Sequence, residues 1–176
     1  MQDTQIRSIR FSDGRERHVL LSREADGAYT PLYHPNLFIS TCHNGSPADT
    51  IKQVLHAIRC LLAWADGEGL DIVARMRSFD FLRQDTELLS LKASMMLPYS
   101  SLCEATAKSL SPTKVIKFPK QKKINNNTVN LRLFYISNYL EWLTEDSMSR
   151  LTKPRMEDVY IDLRQQSRWI KNNYLA

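Results

Sequence analysis

ADTIKQVLHAIRCLLAWAD, residues Ala48 to Asp66, is the stretch from which the fold can be read. Ile51, Val54, Leu55, Ile58, Leu61, Leu62 and Ala65 recur at helical spacing and make one broad apolar face that needs a core to cover it. Asp49 or Thr50 is placed to cap its start, and the Gly67 and Gly69 pair to stop it. Lys52, His56 and Arg59 follow at i, i+4 and i+7 on a flank away from that face. One side of the helix is made for a core and the other suits an anion. Taken alone, such a stripe is more often an ordinary solvated face, so its meaning depends on the neighbouring sequence.

Downstream, Leu70 to Arg77 predicts a short helical piece, and Phe79 to Met96 predicts another. The second fits best after Asp85, where Leu88, Leu91 and Met95 share a face. Pairs such as Asp80 with Asp85, and Glu157 with Asp158, fit helix starts, which favour negative charge. Pro98 ends this helix and opens a long irregular connection to Asn127, a length that is usually functional or disordered. A helix is expected from Asn127 to about Glu145. Val129, Leu133, Ile136, Leu140 and Leu143 form one stripe on it, and Leu131, Tyr135 and Trp142 a second, so it should be central to the bundle. Asn130, Ser137, Asn138 and Glu141 leave it a narrow polar strip. A last helix is predicted over 155–175, with Val159, Leu163 and Ile170 inward.

Upstream, residues 5–11 and 17–22 flank Asp13-Gly14, which supplies the positive φ angles of a tight turn, so a β-hairpin is expected. Ala25 to Pro35 reads as a turn-rich connection, and Asn36 to Cys42 as a short helix. The fold class is therefore mainly α, a small helical bundle with an N-terminal β-hairpin. The organisation is a hairpin appendage over 1–32, a helical domain over 33–150 and a terminal helix over 151–176.

The 176 residues, 43% hydrophobic and 24% charged, have the composition of an ordinary globular protein. No apolar run is long enough to span a membrane. Cys42, Cys60 and Cys103 are odd in number with no CxxC pair, which fits reduced thiols in a cytoplasm. The net charge of +5 is unevenly spread. Between Glu104 and Glu141 there is no acidic residue, while the interval holds Lys108, Lys114, Lys117, Lys120, Lys122, Lys123 and Arg132. A cationic segment without compensating carboxylates is suited to phosphate.

Catalytic signatures are missing: no glycine-rich phosphate loop, no GxSxG and no HExxH. His56 and Cys60, with Cys42 and His43 upstream, match no standard zinc spacing, and a helical cysteine beside an apolar face is usually packing. No metal or cofactor is expected.

The order of elements resembles the core-binding domain of tyrosine recombinases, the phage-type integrases. Four features carry the likeness over roughly residues 29–145. They are Tyr33-His34-Pro35-Asn36-Leu37-Phe38-Ile39, then Ser46-Pro47-Ala48-Asp49-Thr50 opening a helix that ends LLAWADGEGLD, then Phe81-Leu82 followed by a helix, and Asn127-Thr128-Val129-Asn130-Leu131-Arg132-Leu133 leading to Tyr139-Leu140-Glu141-Trp142-Leu143. The resemblance implies a SAM-like helical domain forming half of a clamp around double-stranded DNA, with the helices from Asp49 and Thr128 approaching the major groove. Lys52, His56 and Arg59 would lie on the first, and Thr128, Asn130 and Arg132 at the start of the second. Lys114, Lys117, Lys120, Lys122 and Lys123 would add phosphate contacts. It also implies other recombinase protomers as partners on DNA, a cytoplasmic location associated with the bacterial nucleoid when bound, and no membrane. The family's catalytic arginine, H-x-x-R pair and tyrosine nucleophile belong to a second domain that this chain has no room for after Arg150. The expectation is an N-terminal piece of an integrase that binds DNA and is not itself an enzyme. His56-Ala57-Ile58-Arg59 does spell H-x-x-R, but inside an amphipathic helix with too little chain ahead of it, and reads as a coincidence of the basic stripe. Two other functions fit the same sequence. One is a helical protein-interaction module using exposed Trp142, Trp169 and Tyr174; the other is a stand-alone DNA-binding regulator.

Overall fold

The structure, a computed structural model, describes residues 3–12, 14–109, 124–148 and 151–174. They form a mainly helical domain carrying a three-stranded antiparallel sheet at its N-terminal end. Strands β1 (Thr4–Arg10) and β2 (Glu16–Arg23) make the expected hairpin, with Ile6 opposite Leu20 and Ser8 opposite His18. Gly14, at φ 81°, supplies the left-handed residue of the connection. Period-two alternation turns Thr4, Ile6, His18, Leu20 and Ser22 toward the helices and leaves Arg7, Ile9 and Arg17 on the outer face.

The stretch read as a turn-rich connection contains a third strand, β3 (Tyr29–Pro31), paired with the far edge of β2. A turn closed by Gly27, with Asp26 accepting from the Ala28 amide at 2.9 Å, brings it back. Three residues ending in proline carry no alternation to read, and an edge position is where such a strand is tolerated.

Helix α1 (Tyr33–Cys42) begins three residues earlier than expected, with Pro35 in its first turn. The Asn36 side chain accepts from the Leu20 amide at 2.9 Å and donates to the Leu20 carbonyl at 2.8 Å, clipping α1 to the sheet. Helix α2 (Ala48–Glu68) is the anchor. Ile51, Val54, Leu55, Ile58, Leu61 and Ala65 are buried and Leu62 is half-buried. Neither Asp49 nor Thr50 caps it: the cap position is Pro47, whose carbonyl accepts from Ile51, and Asp49 offsets the dipole from the first turn. Gly67 continues the helix, and Gly69 ends it at φ 69°, with the Leu70 amide returning to the Ala65 carbonyl at 2.8 Å.

Helix α3 (Ile72–Arg77) is capped by Asp71, which accepts from the Ala74 amide. The following segment is not helical. Arg75 braces it, bonding the Asp80 and Phe81 carbonyls and pairing with the carboxylates of Asp80 at 2.9 Å and Glu87 at 2.6 Å. The Asp80 carboxylate therefore holds an arginine and caps no helix. Helix α4 (Glu87–Met95) follows, with Thr86 and not Asp85 at its cap position.

Pro98 stops α4 and at once starts α5 (Tyr99–Ser109), its carbonyl accepting from Ser101 and Leu102. The expected irregular connection is thus helical over its first third. A proline that breaks one helix is equally suited to the entry of the next, and only the first role was read. Helix α6 (Asn126–Met148) runs through the centre, with Val129, Leu133, Ile136, Leu140 and Leu143 all buried. Its second stripe is only partly covered: Leu131 is exposed while Tyr135 is buried. Ser137, assigned to the polar strip, is also buried. Helix α7 (Lys153–Asn172) packs back on α6 through Val159, Leu163 and Ile170, and its buried Gln166 accepts from the Leu82 amide at 2.9 Å.

One main core joins Leu20 of the sheet, the inner faces of α2 and α6, and Ile170 of α7. A smaller cluster of Met148, Val159 and Leu163 lies beneath the segment braced by Arg75. No helix among the described residues is long and apolar enough to cross a membrane.

Candidate nucleic-acid interface

The narrow exposed edge of α2 follows from its apolar face: positions 49, 52, 53 and 56 are left outside once the core is packed. Lys52 and His56 both end at the surface there. Burial lowers the His56 pKa below the usual histidine value, and the nearby charges of Arg59, Lys52 and Arg132 lower it further, in that order. That mutual influence brings the α2 stripe and the first half of α6 into one positive field. Thr128 is exposed on the first turn of α6, and Asn130, two residues before Arg132, is half-buried.

Arg59 and Arg132 are placed within that field but are not aimed at solvent. Arg59 donates from Nε to Thr4 Oγ1 at 3.2 Å and from Nη2 to the Thr4 carbonyl, and its guanidinium lies 3.7 Å from the centroid of the Tyr99 ring. Tyr99 in turn shares a 3.0 Å hydrogen bond with Thr4 Oγ1. Arg59 therefore ties β1 to α2 and α5. Arg132 donates to the carbonyls of Met95 at 3.0 Å and Leu97 at 2.8 Å, filling acceptors left open where α4 ends. Both side chains thus serve as braces: Arg132 bonds two backbone carbonyls, and Arg59 bonds the hydroxyl and the carbonyl of Thr4. Cys60 is buried beside them, its thiol pKa pushed up by burial.

Lys114, Lys117, Lys120, Lys122 and Lys123 lie outside the described residues. The described chain resumes at Ile124, whose amide reaches the Met96 carbonyl at 3.4 Å, between the two carbonyls that Arg132 holds.

The sheet supplies cations that the reading of the sequence passed over. Arg7 lies 4.5 Å from the Tyr29 ring centroid and Arg17 5.7 Å from that of Phe11, both on the outer face. Arginines stacked on rings keep their charge at the surface and lose little freedom on meeting a ligand. The signal was available: Arg7, Arg10, Arg15, Arg17 and Arg23 crowd into one short stretch.

Among the described residues no three His, Cys, Asp or Glu side chains gather in a way that could hold a metal. The aromatic surface suggested for a protein partner is not an open one, since Trp142, Trp169 and Tyr174 are half-buried against the main core. The chain matches no family model, no curated protein and no solved structure.

Proposed function

We propose that this chain is a double-stranded-DNA-binding domain of the kind tyrosine recombinases carry ahead of their catalytic half, acting with other protomers during DNA integration and recombination. In this reading it grips duplex DNA and performs no chemistry itself; in a bacterial cell it would sit with the nucleoid. The observation that carries the proposal is the pair Lys52 and His56. Both are exposed on one edge of α2, in the added field of Arg59 and Arg132. A phosphate meeting that edge gains an ammonium, a titratable imidazole and two fixed guanidinium charges whose own positions are already secured. Thr128 and Asn130, at the start of α6, are the polar groups with which base edges would be read.

The test is fluorescence anisotropy of labelled duplexes across a salt series. The expected result is binding that weakens steeply with salt, with Lys52→Ala combined with His56→Ala reducing the slope by about 1–2 phosphates' worth for every sequence tried. Absence of binding, or binding indifferent to salt, overturns the reading.

A further inference from the structure

Strand β2 is only partly covered on the side away from β1. The Arg23 amide bonds the Asp3 carbonyl and the Phe11 amide the Arg15 carbonyl, each at 2.8 Å, so the odd-numbered residues of β2 spend their backbone groups on β1. The even-numbered ones, Glu16, His18, Leu20 and Ser22, turn theirs to the opposite edge. Ser22 meets Thr30 of β3 there. Leu20 is served as β3 leaves the edge: its carbonyl accepts from the Leu32 amide at 3.0 Å, and the Asn36 carboxamide bonds both its amide and its carbonyl, as a neighbouring strand would. For the backbone groups of His18 and Glu16 no partner follows among the described residues. The His18 ring does not serve them either, since it turns inward, where Nδ1 shares a 2.8 Å hydrogen bond with the Ser8 hydroxyl.

Beside these two residues lies a cleft of about 440 Å³, between β2, the second half of α1 and the α1–α2 turn. A row of open backbone donors and acceptors is a template for one more strand, and four residues laid opposite Val19 to Glu16 extend about 13 Å. The cleft walls are mostly apolar, with Ile39 of α1 and Ile51 of α2 among them. The outer side of the same edge is cationic: Arg17 is exposed there, and Arg7 lies on that face one strand away. Glu16 stands on the inner side, with Arg10 opposite it on β1.

We propose that this edge captures an extended acidic peptide as a further strand, antiparallel to β2 in the track that β3 vacates. Peptide residues opposite His18 and Glu16 exchange backbone hydrogen bonds with them and carry apolar side chains on the cleft side. Residues opposite Val19 and Arg17 carry carboxylates on the arginine side. A second copy of the chain fits poorly, because in the register that uses both open residues it would set Arg17 against its own counterpart, like charges directly opposed. The site uses neither Lys52 nor His56, so it stands or falls independently of DNA binding.

The probe is acetyl-Glu-Val-Glu-Val-Glu-amide, titrated into the full chain by amide NMR. Shifts should saturate and centre on Glu16, His18 and Gly45, and the His18 amide, open in the free protein, should exchange more slowly at saturation. Methylating the two valine nitrogens, which face β2, leaves the peptide's charge unchanged and should abolish binding, whereas methylating the glutamate nitrogens, which face away, should not. The lysine analogue acetyl-Lys-Val-Lys-Val-Lys-amide should not bind. Arg17→Glu changes an exposed side chain and should weaken the glutamate peptide about fivefold while admitting the lysine one. Unsaturable shifts, binding of the valine-methylated peptide, equal binding of the lysine analogue, or full affinity in the Arg17→Glu protein would each overturn the proposal. So would perturbation of the His18 and Glu16 amides by duplex DNA but by neither peptide, which would assign this edge to nucleic acid.

Discussion

On one flank of α2, Lys52 and His56 end in solvent, whereas Arg59, one turn beyond His56, ends on the backbone of β1. Arg132, whose charge reaches the same histidine from α6, ends on the last carbonyls of α4. All four belong to one patch of positive charge, yet they divide into two that are offered and two that are spent. The difference follows from side-chain chemistry. A guanidinium presents several donors in a rigid fork and is weakly hydrated, so it can leave water to serve two backbone acceptors at once. A lysine ammonium is a strongly hydrated point charge that favours the surface. In a basic stripe, the arginines are thus the poorer guide to where a ligand sits.

The largest expected effect breaks the comparison from the structural side. Arg132→Ala leaves the Met95 and Leu97 carbonyls without their charged donor, and should cost about 2–3 kcal/mol in urea unfolding. Arg132→Lys should recover only part, since one ammonium matches a two-carbonyl fork poorly. DNA affinity, measured on the folded fraction, should fall far less than stability does. A variant of unchanged stability and lost affinity would return Arg132 to the binding surface.

Arg59→Ala comes next, at about 1–2 kcal/mol, through loss of the Thr4 contacts and of the Tyr99 stacking. Its signature is local. Hydrogen exchange should accelerate in β1 and at the start of α5 while the amides of α6 keep their protection, because only those two elements lose a tie to α2. Uniform acceleration would mean that Arg59 supports the whole core.

How much of this was legible depends on the distance over which each residue acts. The inner faces of α2 and α6 could be read directly, since Ile51 to Ala65 and Val129 to Leu143 repeat with the period of the helix and burial enforces that period. The hairpin was announced by its own turn. Strand β3 was not, being three residues that owe their form to pairing with β2. Helix α5 was hidden behind Pro98, read only as a stop. The roles of Arg59 and Arg132 were out of reach for a different reason. Their partners stand 55 and 35–37 positions away and are carbonyl or hydroxyl groups, which leave no charge pattern in a sequence. The charge of the site could be read; the division of labour within it required coordinates.

The exposed pair should show the converse behaviour. Lys52 occupies a solvent-exposed helix position, so Lys52→Ala should keep stability within about 0.5 kcal/mol. Affinity for duplex DNA should drop severalfold at low salt, and the drop should shrink as salt is raised. A loss of affinity that persists at high salt would point to a shaped contact in place of a phosphate.

The smallest effect is also the one that separates the two roles by sign. His34, His43 and His56 all have pKa values below the ordinary histidine value, with burial the first cause in each. When the folded value lies below the unfolded one, the unfolded chain binds more protons in the interval between them, and stability there rises with pH. Acidification from neutral pH through the usual histidine range toward the lowered values should therefore weaken the fold slightly, and the loss should level off below them. A phosphate beside His56 reverses the preference, because it favours the imidazolium form. DNA affinity should accordingly strengthen over the same interval in which stability falls. His56→Ala should abolish the rise in affinity while removing only part of the pH dependence of stability, since His34 and His43 remain. If affinity and stability fall together on acidification, His56 does not face the phosphate.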